Sequence, residues 1–267
     1  MLPTTIVQTR WGPLETIDSD PWISRSFREL GEFSESEVDV LRVLFEVLGE
    51  VHPEGLEVVD AGAYVGDLTI PMARLTQKVY AFEPQKEVRE VLERNLVRNN
   101  ITNVEVFPYA LGHVNSPVSF NTGECPGSTQ MRMDGRGREL GEMRTLDSFG
   151  ISPQFIKADV EGMEVFLLAG ARETLQRSAP LLFYERDTVV IPGMLPWEDV
   201  LRRLGYFLWR KMSCRIWNPE NYKGEAVNTF EEYASLMGLA VPLFGENGGK
   251  LLEGVFQRDP RLERLER

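Results

Sequence analysis

The stretch "VVDAGAYVG" (58–66) decides the fold class of this chain. Its β-branched residues predict a strand, and Gly62 and Gly66 predict a tight turn in which the backbone bends sharply and approaches a ligand. The next stretch, "DLTIPMARL" (67–75), predicts a helix with Pro71 near its start, where proline is tolerated. Because the start of a helix offers unpaired backbone N–H groups, this strand–turn–helix unit suits a ligand with an anionic end.

Strands and helices continue to alternate along the chain. Repeated βα units of this kind predict an α/β fold with a mostly parallel sheet, right-handed crossovers and helices on both faces. The further predicted strands are "KVYAFEP" (78–84), "VEVFPYAL" (104–111), "QFIKADVEG" (154–162) and "APLLFYE" (179–185). The further predicted helices are "QKEVREVLERNLVRNN" (85–100) and "MEVFLLAGARETLQRS" (163–178), and "PWEDVLRRLGYFLWRK" (196–211) predicts a helix that runs into one more strand.

We expect a single structural domain overall, which consists of an N-terminal extension, residues 1–55, and a main domain, residues 56–267. We expect the extension to pack on the core of the main domain. It contains apolar residues at helical spacing over 31–49, which predict a helix with Ser34 or Ser36 as its cap.

One segment of the main domain interrupts the alternation. Residues 117–145 are rich in Gly, Ser and Thr, which predicts a hairpin insertion. Its loop, 121–139, has the composition of a lid over a bound molecule, although a hairpin tip without a function has the same composition.

The composition argues against several classes of partner. The chain has 29 Lys and Arg against 41 Asp and Glu, a net charge of −12, so nucleic acid and anionic membranes are poor partners. Cys125 and Cys214 have no metal-binding spacing and form no obvious disulfide framework, which favours a reducing cytoplasm. No signal-peptide pattern and no stretch as long as a membrane span is present. The oligomeric state stays open.

An acidic residue stands at the end of each of four predicted strands: Asp60, Glu83, Asp159 and Glu185. A single acid in such a place commonly caps the following helix. Ligands of open α/β sheets bind beyond the carboxyl ends of the strands, and four acids on that one rim indicate a site that needs hydrogen-bond acceptors.

Two of these acids indicate the kind of ligand. Glu83 follows the glycine turn at the offset at which an acid accepts ribose hydroxyls. Asp60 stands where the G-x-G-x-x-G fingerprint of dinucleotide sites has its first glycine, and its carboxylate would repel a pyrophosphate but could accept from an α-ammonium group, directly or through water. S-adenosylmethionine carries both a ribose and an amino acid, and its sulfonium charge suits an acidic crevice.

Several segments in order resemble the FkbM-type family of class I, Rossmann-like, S-adenosylmethionine-dependent methyltransferases. The likeness covers roughly residues 10–187, and its segments are "LGEFSESE" (30–37), "VVDAGAYVG" (58–66), "VYAFEP" (79–84), "NVEVFPYALG" (103–112), "TLDSF" (145–149) and "FIKADVEGMEVFLLAGA" (155–171). The resemblance implies a seven-stranded sheet whose last strand is antiparallel. It also implies methyl transfer to a hydroxyl of a sugar, a glycan or a secondary metabolite, with S-adenosylhomocysteine as the product.

The expected donor site combines the glycine turn with the ends of the next strands. Tyr64 is a departure, since similar proteins commonly carry Asn there; its phenol either contacts the donor or the acceptor or simply packs. The expected donor-binding residues are Asp60, Ala61, Gly62, Tyr64, Gly66, Glu83, Pro84, Tyr109, Ala110 and Asp159.

A hydroxyl acceptor needs its proton removed or its developing charge stabilised. Asp159 and Glu161 are the main candidates for this task. Lys157 should face the same way as Asp159 by strand alternation, and it either takes part in catalysis or forms an ion pair that fixes the loop. Glu185 could orient the acceptor, with Arg186 and Asp187 beside it. His113 is predicted to be a turn residue, with a role as base the lesser alternative.

Three alternatives stay open at this point. Asp159, Glu161 and Glu185 could hold a divalent cation through oxygen ligands, but no pattern of His or Asn reinforces this, so no metal site is predicted. An NAD-dependent oxidoreductase is disfavoured by Asp60. A protein that binds the nucleoside without turnover is the third alternative.

Stacking faces for a sugar could come from Trp11, Trp22, Trp197, Trp209 or Trp217, of which Trp209 fits the core better.

Overall fold

The computed structural model describes residues 2–33, 35–121, 130–132, 136–137, 139–185, 197–215, 220–230 and 234–242. In chain order, the strands are β1 (Thr4–Thr9), β2 (Gly12–Ile17), β3 (Glu57–Ala61), β4 (Lys78–Phe82), β5 (Val104–Phe107), β6 (Tyr109–Leu111), β7 (Ser116–Asn121), β8 (Gln130–Arg132), β9 (Glu139–Arg144), β10 (Phe155–Ala158), β11 (Leu181–Glu185), β12 (Tyr206–Arg215) and β13 (Ala234–Pro242). The helices are α1 (Ile23–Leu30), α2 (Glu35–Val51), α3 (Thr69–Leu75), α4 (Lys86–Arg98), α5 (Glu164–Gly170), α6 (Arg172–Ser178) and α7 (Trp197–Arg203), and Leu146–Phe149 forms a short 3-10 helix.

Seven strands form the central sheet in the order β12, β13, β11, β10, β3, β4, β5. Neighbouring strands from β11 to β5 are parallel, whereas β13 runs antiparallel to both β11 and β12. The sheet is therefore mixed and mostly parallel. This confirms the expected α/β architecture, in which the last described strand is the antiparallel one.

Helices cover both faces of this sheet. Val58 and Val59 are neighbours on β3 and point to opposite faces, because side chains alternate along a strand. Val58 belongs to an apolar cluster with residues of α2 and α3, and Val59 belongs to one with residues of α5, α6 and α7. Each face of β3 is thus closed by helices, which leaves the strand ends as the place for a ligand. No helix in the described ranges is both long and apolar enough to cross a bilayer.

The prediction of one strand over 104–111 is wrong, because the chain breaks at Pro108. Proline has no backbone N–H to donate to a ladder, so β5 ends at Phe107 and β6 begins at Tyr109. β6 joins a second sheet of four strands in the order β6, β9, β7, β8, in which β7 pairs antiparallel with β8 and β9. The expected loop over 121–139 lies largely outside the described residues.

The prediction of one helix over 163–178 is also wrong, because α5 and α6 are separated at Ala171, whose ψ of 11° is not helical. Gly170 ends α5 against the backbone carbonyl of Gly112, and a Cβ at this position would collide with that carbonyl. The close contact brings the end of α5 onto the turn that follows β6.

The N-terminal residues form more structure than the expected helix alone. β1, β2 and α1 precede α2, and the hairpin turns at Gly12, whose φ of +111° favours glycine. The prediction of Ser36 as a cap is wrong because α2 begins at Glu35, which places Ser36 inside the first turn. Ser34 lies outside the described residues.

Glu15 connects the N-terminal hairpin to α4 through charged hydrogen bonds. Its carboxylate accepts from Arg94 at 2.8 Å and from Arg98 at 3.2 Å. Asn95 completes the contact, since its side chain accepts the N–H of Glu15 at 2.7 Å and donates to the Glu15 carbonyl at 2.9 Å. The hydrogen bond from Arg94 is the main cause that lowers the pKa of Glu15 to about 2. The ionised carboxylate therefore stabilises the folded chain.

We predict that Glu15→Gln lowers the free energy of unfolding by about 1–3 kcal/mol near neutral pH, because it removes charge-assisted hydrogen bonds. The folded pKa lies below the ordinary value of 4.5, so the contribution of Glu15 is full above that value and is lost as the pH falls towards about 2. Urea unfolding of wild type and variant at several pH values measures this difference. Glu105→Gln is the control, because Glu105 forms an exposed pair with Lys78. A Glu15→Gln effect no larger than that of the control would contradict the assignment.

Candidate functional site

A cavity opens at the carboxyl ends of β3, β4, β10 and β11. The strand order and register place Glu185, Asp159, Asp60 and Glu83 one after another along this edge of the sheet. Among the described residues that line the cavity, acidic side chains outnumber basic ones seven to one; the acids are Asp20, Glu37, Asp67, Glu83, Asp159, Glu161 and Glu185, and the base is Lys157. The cavity is therefore strongly acidic.

Lys157 holds the central part of the cavity wall together. Its ammonium donates to the carbonyl of Gly62 at 2.8 Å and lies 3.4 Å from an oxygen of Asp60 and 3.4 Å from an oxygen of Asp159. Burial alone lowers the pKa of Lys157, but the negative charges of Asp159, Asp60 and Asp67 outweigh it and raise the pKa above its ordinary value. The side chain is thus a cation near neutral pH, as its expected pairing with neighbouring acids requires.

Asp60 is completely buried and is not one of the residues that line the cavity. One of its oxygens accepts from the hydroxyl of Thr69 at 2.6 Å, and the other faces Lys157. Burial raises its pKa. Direct contact of Asp60 with a donor stays a prediction, and the contacts that the structure shows are with Thr69, at the start of α3, and Lys157.

Asp67, which directly follows the glycine turn, lines the cavity. Burial raises its pKa to about 7. Sequence reasoning assigned it only to the start of a helix. Its position directly after Gly66, at the mouth of the glycine turn, was the signal that could have identified it.

Glu83 is held in place by two backbone N–H groups. One carboxylate oxygen accepts from the N–H of Gln85 at 2.8 Å and the other from the N–H of Tyr64 at 3.1 Å. Burial raises the pKa of Glu83 to about 7 although these two hydrogen bonds favour the charged form. Each carboxylate oxygen has a second lone pair, so Glu83 can accept further hydrogen bonds from a ligand.

Tyr64 adopts a backbone conformation that large side chains rarely take. Its φ is +47°, in the left-handed region where Asn is more frequent. The hydroxyl of its phenol donates to Asp20 at 2.9 Å. Asp20 belongs to the N-terminal extension and also lines the cavity, so this residue connects two parts of the chain.

Asp159, Glu161 and Glu185 form an acidic cluster on the other side of the cavity. Each offers an oxygen that lies within 4.8 Å of the others. Burial, followed by the charge of Asp159 and a hydrogen bond with it, raises the pKa of Glu185 well above its ordinary value. Glu185 is therefore expected to carry a proton near neutral pH. The cluster has the oxygen ligands that a hard cation prefers, so the metal alternative stays open.

The structure brings most of the predicted site residues together. Those that line the cavity are Ala61, Gly62, Tyr64, Glu83, Pro84, Tyr109, Ala110, Lys157, Asp159, Glu161 and Glu185. Gly66 packs against Leu92 beside the turn. His113 is exposed, with its ring 5.0 Å from that of Phe166, and it does not line the cavity. The geometry therefore gives no support to His113 as a base.

Some predicted residues fall outside what the structure describes. These are Arg186, Asp187, Trp217 and the side chains of Trp197 and Trp209. Of the remaining tryptophans, Trp22 lines the cavity, whereas the indole N–H of Trp11 donates to Glu35 at 3.1 Å.

Sequence reasoning missed the contribution of the N-terminal extension to this cavity. Asp20, Ile23, Phe33 and Glu37 line it beside Trp22. No local pattern marks these residues, because their place in the cavity depends on how the extension folds against the sheet edge. Gln85, which directly follows the Glu83–Pro84 pair, was also missed.

Comparison with known proteins identifies a family and a fold. Residues 60–208 match the model of the methyltransferase FkbM domain. Among solved structures, the chain is similar to the methyltransferase FkbM from Methylobacillus flagellatus KT, with 19% identity over 69% of this chain and 43% of that chain and a TM-score of 0.46. It thus spans less than half of the length of that protein.

Two further structures extend the comparison. The magnesium protoporphyrin IX methyltransferase from Synechocystis PCC 6803, solved with bound SAM, has 13% identity over 84% of this chain and 86% of that chain and a TM-score of 0.46. The SAM-dependent methyltransferase from Agrobacterium tumefaciens has 13% identity over 91% of this chain and 71% of that chain. Its TM-score of 0.51 shows a shared fold. A comparison with curated protein sequences gave no significant match.

We predict that Lys157→Met lowers the free energy of unfolding by about 3–5 kcal/mol, because Asp60 is then buried without its cation. The double variant with Asp60→Asn should recover part of this loss. Urea unfolding near neutral pH measures both. Lys86→Met is the control, since Lys86 is largely exposed and lies 4.0 Å from Glu90. Equal stabilities of Lys157→Met and the control would refute the role of Lys157.

Proposed function

Since this chain belongs to the FkbM methyltransferase family, we propose that it transfers the methyl group of S-adenosylmethionine to a hydroxyl oxygen of a sugar, a glycan or a secondary metabolite. The observation that carries the proposal is the acidic cavity at the strand ends, whose described lining holds seven acidic residues and one lysine. A donor with a sulfonium and an ammonium group is attracted to such a cavity, whereas a diphosphate is repelled.

The donor is expected to lie over the glycine turn. Glu83 accepts hydrogen bonds from the ribose hydroxyls, since two backbone N–H groups fix its carboxylate at the cavity wall. Gly62 and Ala61 line the cavity with little side-chain bulk, so the ligand can approach the backbone closely. Tyr109 and Ala110 complete the expected donor pocket at the start of β6.

Methyl transfer is an in-line displacement. The acceptor oxygen forms a bond to the methyl carbon while the carbon–sulfur bond breaks, and the bonding electron pair leaves with sulfur to give S-adenosylhomocysteine. Alignment of the three atoms supplies much of the rate. The acceptor hydroxyl also loses its proton, which needs a base within hydrogen-bond reach.

Asp159 is the proposed base. Its side chain is 37% exposed and lines the cavity, and one of its oxygens lies 3.4 Å from the ammonium of Lys157. Glu185 is expected to be protonated, so it can help to orient the acceptor but cannot take its proton. Glu161 stands beside both and can accept from a second hydroxyl of the acceptor.

We predict that Glu83→Gln weakens the binding of S-adenosylhomocysteine by about 1.5–3 kcal/mol, because it removes charge-assisted hydrogen bonds to the ribose. Isothermal titration calorimetry measures the affinity. Glu57→Gln is the control, since Glu57 lies at the opposite end of β3. Asp60→Asn should weaken binding to the same extent if Asp60 contacts the donor. An unchanged affinity of Glu83→Gln, or binding of NAD in place of the thioether, would remove this donor assignment.

We predict that Asp159→Asn lowers kcat at saturating S-adenosylmethionine by about 10²–10⁴-fold, because it removes the base. Transfer of labelled methyl groups from S-adenosylmethionine to a panel of saccharides and hydroxylated metabolites measures the rate. His113→Ala tests the alternative base and should retain activity.

Donor binding without transfer to any acceptor favours a protein that binds the nucleoside without turnover. Activity that is abolished by a chelator and restored by Mg²⁺ would assign the acidic cluster to a cation instead.

A further inference from the structure

The hydroxyl of Tyr64 forms a hydrogen bond with the N-terminal extension. It donates to an oxygen of Asp20 at 2.9 Å, and both side chains are buried, with exposed fractions of 7% for Tyr64 and 1% for Asp20. A buried hydrogen bond to a carboxylate is stronger than one between neutral groups. The pair therefore links the glycine turn to the N-terminal extension.

Asp20 also organises the start of α1. Its carboxylate accepts from the backbone N–H groups of Trp22 at 2.8 Å, Ile23 at 3.1 Å and Ser24 at 3.2 Å. These bonds satisfy N–H groups that have no partner within a helix, and they hold the carboxylate in one orientation. Asp20 is thus a fixed acceptor against which Tyr64 can be positioned.

The other end of Tyr64 reaches Glu83. The backbone N–H of Tyr64 donates to Glu83 at 3.1 Å while the residue has a φ of +47°. A residue other than glycine in this region is strained, and it persists only where surrounding contacts hold it. The hydrogen bond to Asp20 is such a contact. It fixes the side chain of Tyr64, and the backbone N–H of the same residue donates to Glu83.

We propose that Asp20 and Tyr64 are positioning residues for the methyl donor, and that they hold Glu83 in the orientation that accepts the ribose. This inference rests on the proposed function. Asp20, Tyr64 and Glu83 all line the same cavity, so the chain of contacts runs along its wall. When the pair is broken, the donor must order the turn and the start of α1 as it binds, and its affinity falls.

Tyr64→Phe tests the proposal in the full chain. We expect this variant to bind S-adenosylhomocysteine about tenfold more weakly in isothermal titration calorimetry. The KM for S-adenosylmethionine should rise by a similar factor, with kcat at saturating donor changed less than about twofold, because the ribose contact is made equally in the ground state and the transition state. A merely structural role would lower the thermal stability and leave both affinities as they are.

Tyr80→Phe is the matched control. The hydroxyl of Tyr80 donates to Glu57 at 2.9 Å, and Tyr80 is buried to the same extent as Tyr64, but it does not line the cavity. We expect this variant to bind the thioether as wild type does. Equal affinities of Tyr64→Phe and Tyr80→Phe, beside a wild type that binds, would overturn the positioning role alone. A wild type that does not bind would overturn this role together with the proposed function.

Asp20→Ser provides a second route to the same result. Serine also accepts N–H groups at the start of a helix, so α1 keeps a cap, but its side chain is too short to replace the carboxylate beside Tyr64. We expect Asp20→Ser to weaken binding as Tyr64→Phe does, and the double variant to be no weaker than the weaker single variant. Additive losses would show that the two residues act separately and would overturn the pairing. If Tyr64→Phe does not fold, Asp20→Ser alone against Tyr80→Phe makes the comparison.

Discussion

The arrangement of the cavity depends on one buried ammonium group. Lys157 on β10 and Asp60 on β3 are partners in register, and the ammonium reaches past Asp60 to the carbonyl of Gly62. The same cation therefore balances the charge of Asp60 on the neighbouring strand and fixes the glycine turn that follows β3. Gly62 adds a steric constraint, because at its φ of +80° a Cβ would collide with the carbonyl of Asp159. Charge and close packing together hold the glycine turn against the end of β10.

The acids of the site have different surroundings. Asp60 lies behind the wall with Thr69 and Lys157, so its carboxylate contributes to the architecture of the turn. Glu83 is oriented by backbone N–H groups and keeps free lone pairs towards the cavity. Burial, and then the neighbouring acids, raise the pKa of Glu185 and favour its protonated form. Acidic residues that look alike along the chain thus differ in their surroundings, and these surroundings set the contacts and the charge of each.

The sequence was sufficient for the sheet and for the rim of acids. The alternation of strands and helices predicts parallel strands, and the strand ends then bring Glu83, Asp159 and Glu185 together. A pattern gives the position of a residue but not what fills the space around it, so the burial of Asp60 behind Lys157 was not predictable. The exposure of His113 depends in the same way on the packing of a turn. The break at Pro108 was readable, because proline cannot continue a ladder.

The wall of the cavity crosses the boundary of the segment that defines the family. The FkbM match begins at residue 60, yet Asp20, Trp22 and Glu37 line the same cavity from outside that segment. Recombination that exchanged only the matched segment between two relatives would combine cavity residues of one protein with the N-terminal cavity residues of another. The segment that forms a complete cavity is therefore longer than the segment that the family model matches.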